Sequence, residues 1–264
     1  MKGSLKMKEF LGIGGYSRPA EGYFSWQHLV FVTSLMVVMT LLAVFIGKSR
    51  RKMDDRAKNM PLLISAILID GFEIFKIVVC CIRSDDWSGI KYNLPLFLCS
   101  IQLITIPMAA LCKGKLKEAS LDFVMIFGIL GALAGTYGAA QNYGCYPVLS
   151  MDNVVSGITH SISGFASLYI AISGLGSMKK KNMWITFTIL LGFCIAAYIA
   201  NIVLDYNYMF LMQDDGTPYQ ILYQLVNGEK NQVLYSFGVV SLFIVYIAGY
   251  YGVYGLCTRK KTAV

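Results

Sequence analysis

Histidine and charged residues are scarce in this chain of 264 residues. It has two histidines, and Asp, Glu, Lys and Arg together make up 14% of it. The two histidines lie far apart, and the carboxylates are scattered without the spacing that metal ligands need. We therefore expect no metal site and no bound cofactor.

Long hydrophilic segments are missing as well, because hydrophobic residues make up 56% of the chain and fall into seven apolar stretches. Each stretch is close to the ~20 residues that a helix needs to cross ~30 Å of hydrocarbon. The stretches cover residues 26–47, 60–82, 94–112, 121–139, 154–176, 183–204 and 235–257. The sequence predicts an all-α polytopic membrane protein, with residues 1–264 forming a single seven-transmembrane-helix bundle. An N-terminal tail at 1–25 and an outer interfacial segment at 205–234 complete it.

The formal net charge of +8 is distributed unevenly over the loops. Fifteen Lys and Arg residues follow the first, third and fifth spans or lie in the C-terminal tail, whereas seven lie on the other side. Because basic loops stay cytoplasmic, we expect a cell-membrane protein with its N-terminus outside and its C-terminus inside. Anionic lipid headgroups are the expected partners of the basic loops. Nucleic acid is not an expected partner.

The seven cysteines do not form a disulfide framework in the sequence. Only Cys145 lies clearly in a loop, and the other six fall in or beside apolar stretches, where cysteine is a small buried residue. A bridge from Cys145 to Cys80 or Cys81 at the outer rim is the alternative that stays open.

Few ionisable residues lie inside the spans, and such residues are functional candidates because a charge in hydrocarbon is costly. They include Asp70, Glu73 and Lys76 in the second span and His160 in the fifth. A rise of 1.5 Å per residue places Cys99 about 8 Å, His160 about 10 Å and Glu73 about 13 Å from the outer helix ends. We expect Lys76 to neutralise Glu73 and to extend outward. The remaining carboxylate then needs His160, a ligand or a proton as its partner.

His160 has two interpretations. A lone histidine on an apolar helix is usually a structural hydrogen-bonding residue, but Thr159, Ser161 and Ser163 make this helix start polar. A thiol at its ordinary pKa is mostly protonated, and a neighbouring imidazole would activate Cys99. We therefore expect His160 and Cys99 to share a site at the outer end of the bundle. Asn201 and Asp205, four residues apart at the outer end of the sixth span, lie at the same level.

Glycine is frequent in the fourth span. Gly131 and Gly135 have the small-xxx-small spacing that allows two membrane helices to approach closely. We expect both glycines to serve helix packing alone.

The segment 205–234 predicts one short interfacial helix. Thr217 can cap this helix, Pro218 suits its first position, and Asn227 with Gly228 suits its end. The helix serves either as a lid over the bundle or as an interfacial anchor rich in tyrosine.

Four motifs stand out along the chain: Phe24-Ser25 with His28, Leu94-Pro95-Leu96-Phe97-Leu98-Cys99, Thr159-His160-Ser161, and Asn207-Tyr208-Met209-Phe210-Leu211. In their order and spacing they resemble the YwaF-type bacterial integral membrane family. That family is related to the vertebrate transmembrane protein 164, a lipid acyltransferase that relies on a cysteine and a histidine. It is related more distantly to androgen-regulated membrane hydrolases that use a threonine and a histidine. The resemblance implies a functional His160 and a cysteine in the segment of Cys99, although Phe97 stands where the family's third-span motif has histidine.

These features leave two functions open. In the first, the protein is a lipid acyltransferase or acyl-ester hydrolase whose Cys99 attacks the ester of an outer-leaflet phospholipid or other amphiphile while His160 takes the proton. Glu73 or Asp70 would orient the imidazole, and amides of Gln102, Asn201 or Asn207 would stabilise the oxyanion. In the second, a non-catalytic receptor or transporter binds a small polar or amphiphilic ligand in the same pocket through Asp70 and Glu73. In both, the ligand-binding candidates are His28, Gln102, Asn201, Asp205 and Asn207, and His28 lines the mouth.

Overall fold

The computed structural model describes residues 2–84, 86–176 and 178–259. Within these ranges the chain forms α-helices, two short 3₁₀ turns and no strand, so the all-α prediction is confirmed. The helices are α1 (Lys2–Leu11), α2 (Trp26–Arg50), α3 (Asp55–Ser84), α4 (Ser88–Tyr92), α5 (Gln102–Leu111), α6 (Gly114–Tyr137), α7 (Ala140–Cys145), α8 (Met151–Ser173), α9 (Met183–Leu204), α10 (Gln220–Val226) and α11 (Gln232–Arg259). Lys260 and Lys261, two of the basic residues counted on the C-terminal side, lie outside the described ranges.

Five helical segments of the described chain are long and apolar enough to cross a membrane, and they coincide with five of the predicted spans. They are Trp26–Arg50, Gly114–Cys145, Met151–Ser173, Lys180–Leu204 and Gln232–Cys257. The chain is therefore a multi-pass membrane protein. α3 spans 30 residues but carries the charged side chains of the second span.

The span predicted at 94–112 is helical only in its second half. Residues 94–101 form turns, and regular helix begins at Gln102. Pro95 explains the difference, because proline has no N–H to donate and keeps the residue before it out of the helical conformation. Leu96 N–H instead donates to Leu94 O over 2.7 Å in a tight turn. This irregular segment contains Cys99.

α8 is the central helix and packs against α2, α3 and α6. Its contact with α6 is close enough that a Cβ on Gly128 would lie 2.7 Å from Ser163 O. The hydroxyl of Ser167 donates to Met125 O over 2.7 Å across the same contact. Small residues and interhelical hydrogen bonds of this kind hold membrane helices together. They fix the helix that carries His160.

The chain after α9 is held by two asparagines that were predicted to bind ligand. Asn201 accepts from Tyr208 N–H over 2.6 Å and donates to Tyr208 O over 3.1 Å. Asn207 accepts from Met212 N–H over 2.9 Å and donates to Gln213 O over 2.8 Å. Their amides are used by the backbone, so both residues have a structural role. Asp205 is exposed and forms the left-handed C-cap of α9, with φ of 49°.

The predicted interfacial helix is present as α10, and it ends at Asn227 as expected, with φ of 53°. It begins at Gln220, two residues later than Pro218. The Thr217 hydroxyl does not cap it, because that hydroxyl donates to Asp214 O over 2.6 Å. α10 packs against α11, where the Tyr223 and Tyr235 rings lie 5.0 Å apart.

The N-terminal segment, predicted as a tail, contains α1 and is attached to the C-terminal end of α3 and the N-terminal end of α8. The Tyr16 hydroxyl donates to Asp152 over 2.6 Å, and Asp152 also binds Arg83 through contacts of 2.7 and 2.8 Å. Burial and the neighbouring carboxylate raise the pKa of the Tyr16 hydroxyl. Phe10 and Leu11 of α1 pack over the same helix ends.

His28 is fully buried, so the prediction that it lines a water-filled mouth is wrong. Its Nδ1 accepts from Phe24 N–H over 3.1 Å, and its Nε2 donates to Thr136 O over 3.2 Å. The ring of Tyr143 covers it at a centroid distance of 3.9 Å. The chain before α2 folds back over the first helical turn and removes this ring from water. His28 therefore connects α2 to α6 and α7.

Replacing His28 by alanine is expected to lower the free energy of unfolding by about 2 kcal/mol, since the buried carbonyl of Thr136 and the partly buried N–H of Phe24 lose their partner. Thermal unfolding of the extracted protein measures this loss. Val30→Ala, at an exposed position nearby on α2, is the control and should change the midpoint little. Equal midpoints for both variants would contradict the assignment of His28 as a structural connection.

Candidate functional site

A cavity of about 300 Å³ lies between α3, α7, α8 and the irregular segment before α5. It contains three of the four residues that were predicted to be catalytic, Glu73, Cys99 and His160. Asp70 and the five predicted ligand-binding residues are not part of its wall. The wall is formed by Ile69, Glu73, Lys76, Tyr92, Asn93, Leu94, Phe97, Cys99, Ser100, Leu103, Gln141, Asn142, Thr159, His160 and Tyr206.

The Cys99 thiol and the His160 imidazole both line this cavity and are close enough to interact electrostatically. His160 Nδ1 lies 2.7 Å from Ser156 O, one turn earlier on α8. A carbonyl oxygen can only accept, so Nδ1 carries the proton of the neutral imidazole. Nε2 is then free to accept the proton of the thiol. This is the arrangement that activation of a cysteine by a general base requires.

Gly135 of α6 makes room for the imidazole. A Cβ at this position would lie 1.9 Å from Cδ2 and 2.0 Å from Nε2 of His160, far inside van der Waals contact. A Cβ on Gly131, one turn earlier, would lie 3.6 Å from Cys99 Cα, which is an ordinary contact. Gly135 therefore serves helix packing, as expected, and the part of α8 that it accommodates is the His160 ring.

The backbone around Cys99 forms the start of a helical turn that continues into α5. Ile101 N–H donates to Phe97 O over 2.9 Å, and Phe97 N–H donates to Ser100 Oγ over 3.0 Å. Within the described ranges, the N–H groups of Leu98, Cys99 and Ser100 donate to no backbone carbonyl. Free N–H groups at a helix N-terminus carry partial positive charge and can stabilise an anion. They belong to Cys99 itself and to its two neighbours in the chain.

The two carboxylates of α3 have different surroundings. Glu73 is buried and pairs with Lys76 over 2.6 Å, as expected, and Lys76 also lines the cavity. Asp70 is partly exposed, and in the described part of the chain it forms neither an ion pair nor a hydrogen bond. Neither carboxylate orients His160, because the Ser156 carbonyl holds Nδ1.

Replacing Lys76 by glutamine should destabilise the protein by about 2 kcal/mol, because the buried Glu73 carboxylate loses its cation. The double variant Glu73→Gln/Lys76→Gln removes both charges, so it should recover part of the loss. Thermal unfolding of the wild type, of the two single variants Lys76→Gln and Glu73→Gln, and of the double variant in one detergent measures this coupling. A double variant as unstable as Lys76→Gln would show that the pair is not coupled.

Gln102 was predicted to stabilise an oxyanion, but its side chain is fully buried outside the cavity wall. Its Oε1 accepts from the Thr105 hydroxyl over 3.1 Å, and its Nε2 has no partner in the described part of the molecule. Gln102 comes shortly after residues 98–100, whose N–H groups donate to no backbone carbonyl. The backbone of residues 98–100 is therefore the better source of oxyanion donors.

A larger space of about 700 Å³, which we call the vestibule, lies beside the cavity and shares Lys76, Tyr92, Asn93, Gln141, Asn142 and Tyr206 with it. Sequence reasoning missed the aromatic and amide residues among these. The sequence contained two indications of them. Gln141 and Asn142 lie in the polar loop that follows the fourth span, and Tyr206 directly precedes the motif that begins at Asn207. Lys91 Nζ lies 5.7 Å from the Tyr206 ring centroid at this rim.

Cys80 and Cys145 both line the vestibule, yet all seven cysteines are free thiols. The alternative of a bridge from Cys145 is therefore wrong. No three His, Cys, Asp or Glu side chains come together at metal-binding distance in the described ranges. The chemistry available in the cavity is that of a thiol, an imidazole and an ion pair.

Comparison with protein families finds one match that covers most of the chain. A family model described as the TMEM164 family matches residues 23–251, a range that includes Cys99 and His160. No curated protein and no solved structure matches the chain.

Proposed function

The chain belongs to the TMEM164 family, and we propose that it is a membrane enzyme that transfers or hydrolyses the acyl group of a lipid ester. The observation that carries this proposal is that Cys99 and His160 line one polar cavity, close enough for the thiol and the imidazole to interact. Because Ser156 O holds Nδ1, Nε2 is the nitrogen that would take the thiol proton and so activate the nucleophile. On the motifs around Cys99 and His160 we also propose that the chain is a bacterial, YwaF-type member.

In the first half-reaction, Cys99 Sγ attacks the ester carbonyl carbon while its proton passes to His160 Nε2. The oxyanion faces the free N–H groups of Leu98, Cys99 and Ser100, each worth roughly 3 kcal/mol in comparable sites. Collapse of the tetrahedral intermediate breaks the carbon–oxygen bond of the ester. The alkoxide leaves with the proton from Nε2, and the acyl group stays on Cys99 as a thioester.

In the second half-reaction, an acceptor hydroxyl or a water molecule enters from the vestibule. Its proton passes to Nε2, and its oxygen attacks the thioester carbonyl. The thiolate then leaves, takes the proton from Nε2 and restores the starting state. An acceptor lipid gives acyl transfer, and water gives hydrolysis.

The proposal includes a seven-helix topology in which α3 and the segment 94–111 complete the bundle. α3 has 30 residues and would extend over about 45 Å. The excess of basic residues favours a cytoplasmic C-terminus and an outside N-terminus. The cavity then lies near the outer leaflet, and a phospholipid ester enters from there.

The test is turnover by purified protein in nanodiscs that contain a diacyl phospholipid radiolabelled on its acyl chains. We expect label in free fatty acid, or in a diacyl product when a lysophospholipid acceptor is added. A receptor is the second candidate, because the Glu73–Lys76 ion pair lines the cavity. Saturable ligand binding that Glu73→Gln abolishes, without any turnover by the wild type, would contradict the enzyme and support the receptor.

A further inference from the structure

A groove of about 520 Å³ lies between α2 and α3, with α8 as its floor. α2 contributes residues from Leu35 to Arg50, α3 contributes residues from Pro61 to Leu68, and α8 contributes Ile158 to Phe165. We call it the α2–α3 groove. It shares no wall residue with the Cys99–His160 cavity or with the vestibule.

The interior of the groove offers no free polar group along its length. Its three serines turn their hydroxyls to their own helices, where Ser49 donates to Ile46 O over 2.9 Å and Ser65 donates to Pro61 O over 2.8 Å. Ser161 donates to Gly157 O over 2.7 Å in the same way. Apart from these serines and Arg50, the wall consists of apolar residues. A hydrocarbon chain fits such a wall, because it leaves no polar group unpaired.

Arg50 lies at the end of the groove, next to the loop between α2 and α3. One guanidinium N–H donates to Ala57 O over 2.7 Å. No ion pair involves Arg50 in the described part of the chain, where the paired cations are Arg18, Lys76, Arg83 and Lys179. A guanidinium with free N–H groups matches the oxygens of a phosphate.

The dimensions agree with a lipid. The distance along α2 from Leu35 to Arg50 is about 22 Å at 1.5 Å per residue. One leaflet contributes roughly half of a hydrocarbon core of ~30 Å. The groove therefore accommodates one extended acyl chain whose headgroup reaches Arg50.

We propose that the α2–α3 groove is a binding site for an anionic phospholipid of the leaflet that faces the basic loops. One acyl chain lies along α2 over α8, and the phosphate lies against Arg50. Bound lipid then joins α2 and α3 to the helix that carries His160, and it stabilises the folded protein by mass action. This site is separate from the proposed reaction and does not require it.

The experiment compares phosphatidylglycerol with phosphatidylcholine, each added to delipidated protein in detergent. Native mass spectrometry counts bound lipid, and thermal unfolding measures stabilisation. We expect the wild type to retain one phosphatidylglycerol and to unfold at a higher temperature in its presence. Arg50→Gln removes the cation, and Ile64→Trp fills the groove from a half-exposed position. Both variants should lose the bound lipid and the temperature shift.

Arg51→Gln is the matched control, because Arg51 is exposed and lies outside the groove. It should retain the lipid, and so should Cys99→Ala, even though that variant is inactive under the proposed function. Equal retention by Arg50→Gln and Arg51→Gln would overturn the site. So would equal stabilisation by the two lipids, or by inorganic phosphate alone. A wild-type dimer that Ile64→Trp dissociates would assign the groove to a second copy of the chain and would also overturn it.

Discussion

Replacing Cys99 by alanine is expected to abolish acyl turnover, with a loss of about a thousandfold or more. The variant removes the atom that forms the thioester, and no other thiol lines the 300 Å³ cavity. The helical turn around Cys99 is held by the backbone and by Ser100, so the protein should still fold. Turnover of radiolabelled diacyl phospholipid measures the loss.

His160→Ala should cause a loss of similar size, and the double variant should be no worse than either single variant. Groups that act as one unit in a mechanism are not additive. Cys112→Ala is the control, because this thiol lies at the opposite end of α5 from Cys99. It should keep full activity. Full activity of Cys99→Ala would remove the thiol from the mechanism and leave water or a hydroxyl acting with His160.

Replacing Gly135 by alanine should also abolish turnover while leaving the protein folded. The new methyl group would occupy the position of the His160 ring, at 2.0 Å from Nε2. The imidazole would have to rotate away, because the α6 backbone is held against α8. Nε2 would then lose the thiol. A displacement of about 1 Å in a catalytic group can cost on the order of a hundredfold in rate, and this clash demands more.

Gly131→Ala is the matched control for Gly135→Ala. It adds the same methyl group to the same helix one turn away, where the nearest atom of Cys99 lies 3.6 Å from the new Cβ. We expect near-normal activity and an unchanged unfolding temperature. Equal activities of the two alanine variants would show that the imidazole does not occupy the position that the structure gives it.

The helical bundle could be predicted because membrane spans are encoded in composition over long stretches of chain. That Cys99 and His160 line one cavity was also accessible, since the two residues lie at similar depths from the same end of the bundle. Depth along a helix follows from counting residues, so the sequence alone allows the two depths to be compared.

Other features of the structure depend on contacts between separate segments of the chain, and counting residues along a helix does not reveal such contacts. His28 is hidden by a chain segment that folds back over α2, and its burial depends on Tyr143, which is distant in sequence. The Ser156 carbonyl orients His160, and a backbone oxygen gives no signal in a residue pattern. The role of Gly135 depends on the rotamer of a ring on another helix. Pro95 lies inside the span predicted at 94–112, and the irregular backbone around Cys99 that follows it was not predicted.

The most direct test of the central claim is the detection of an acyl thioester on Cys99. Purified protein is mixed with a diacyl phospholipid without an acceptor, quenched in acid and digested, and the Cys99 peptide is analysed by mass spectrometry. We predict an added acyl group on this peptide that neutral hydroxylamine removes and that Gly135→Ala protein does not form. Continued release of fatty acid by the wild type, with Cys99 unmodified at every time point, would contradict the mechanism.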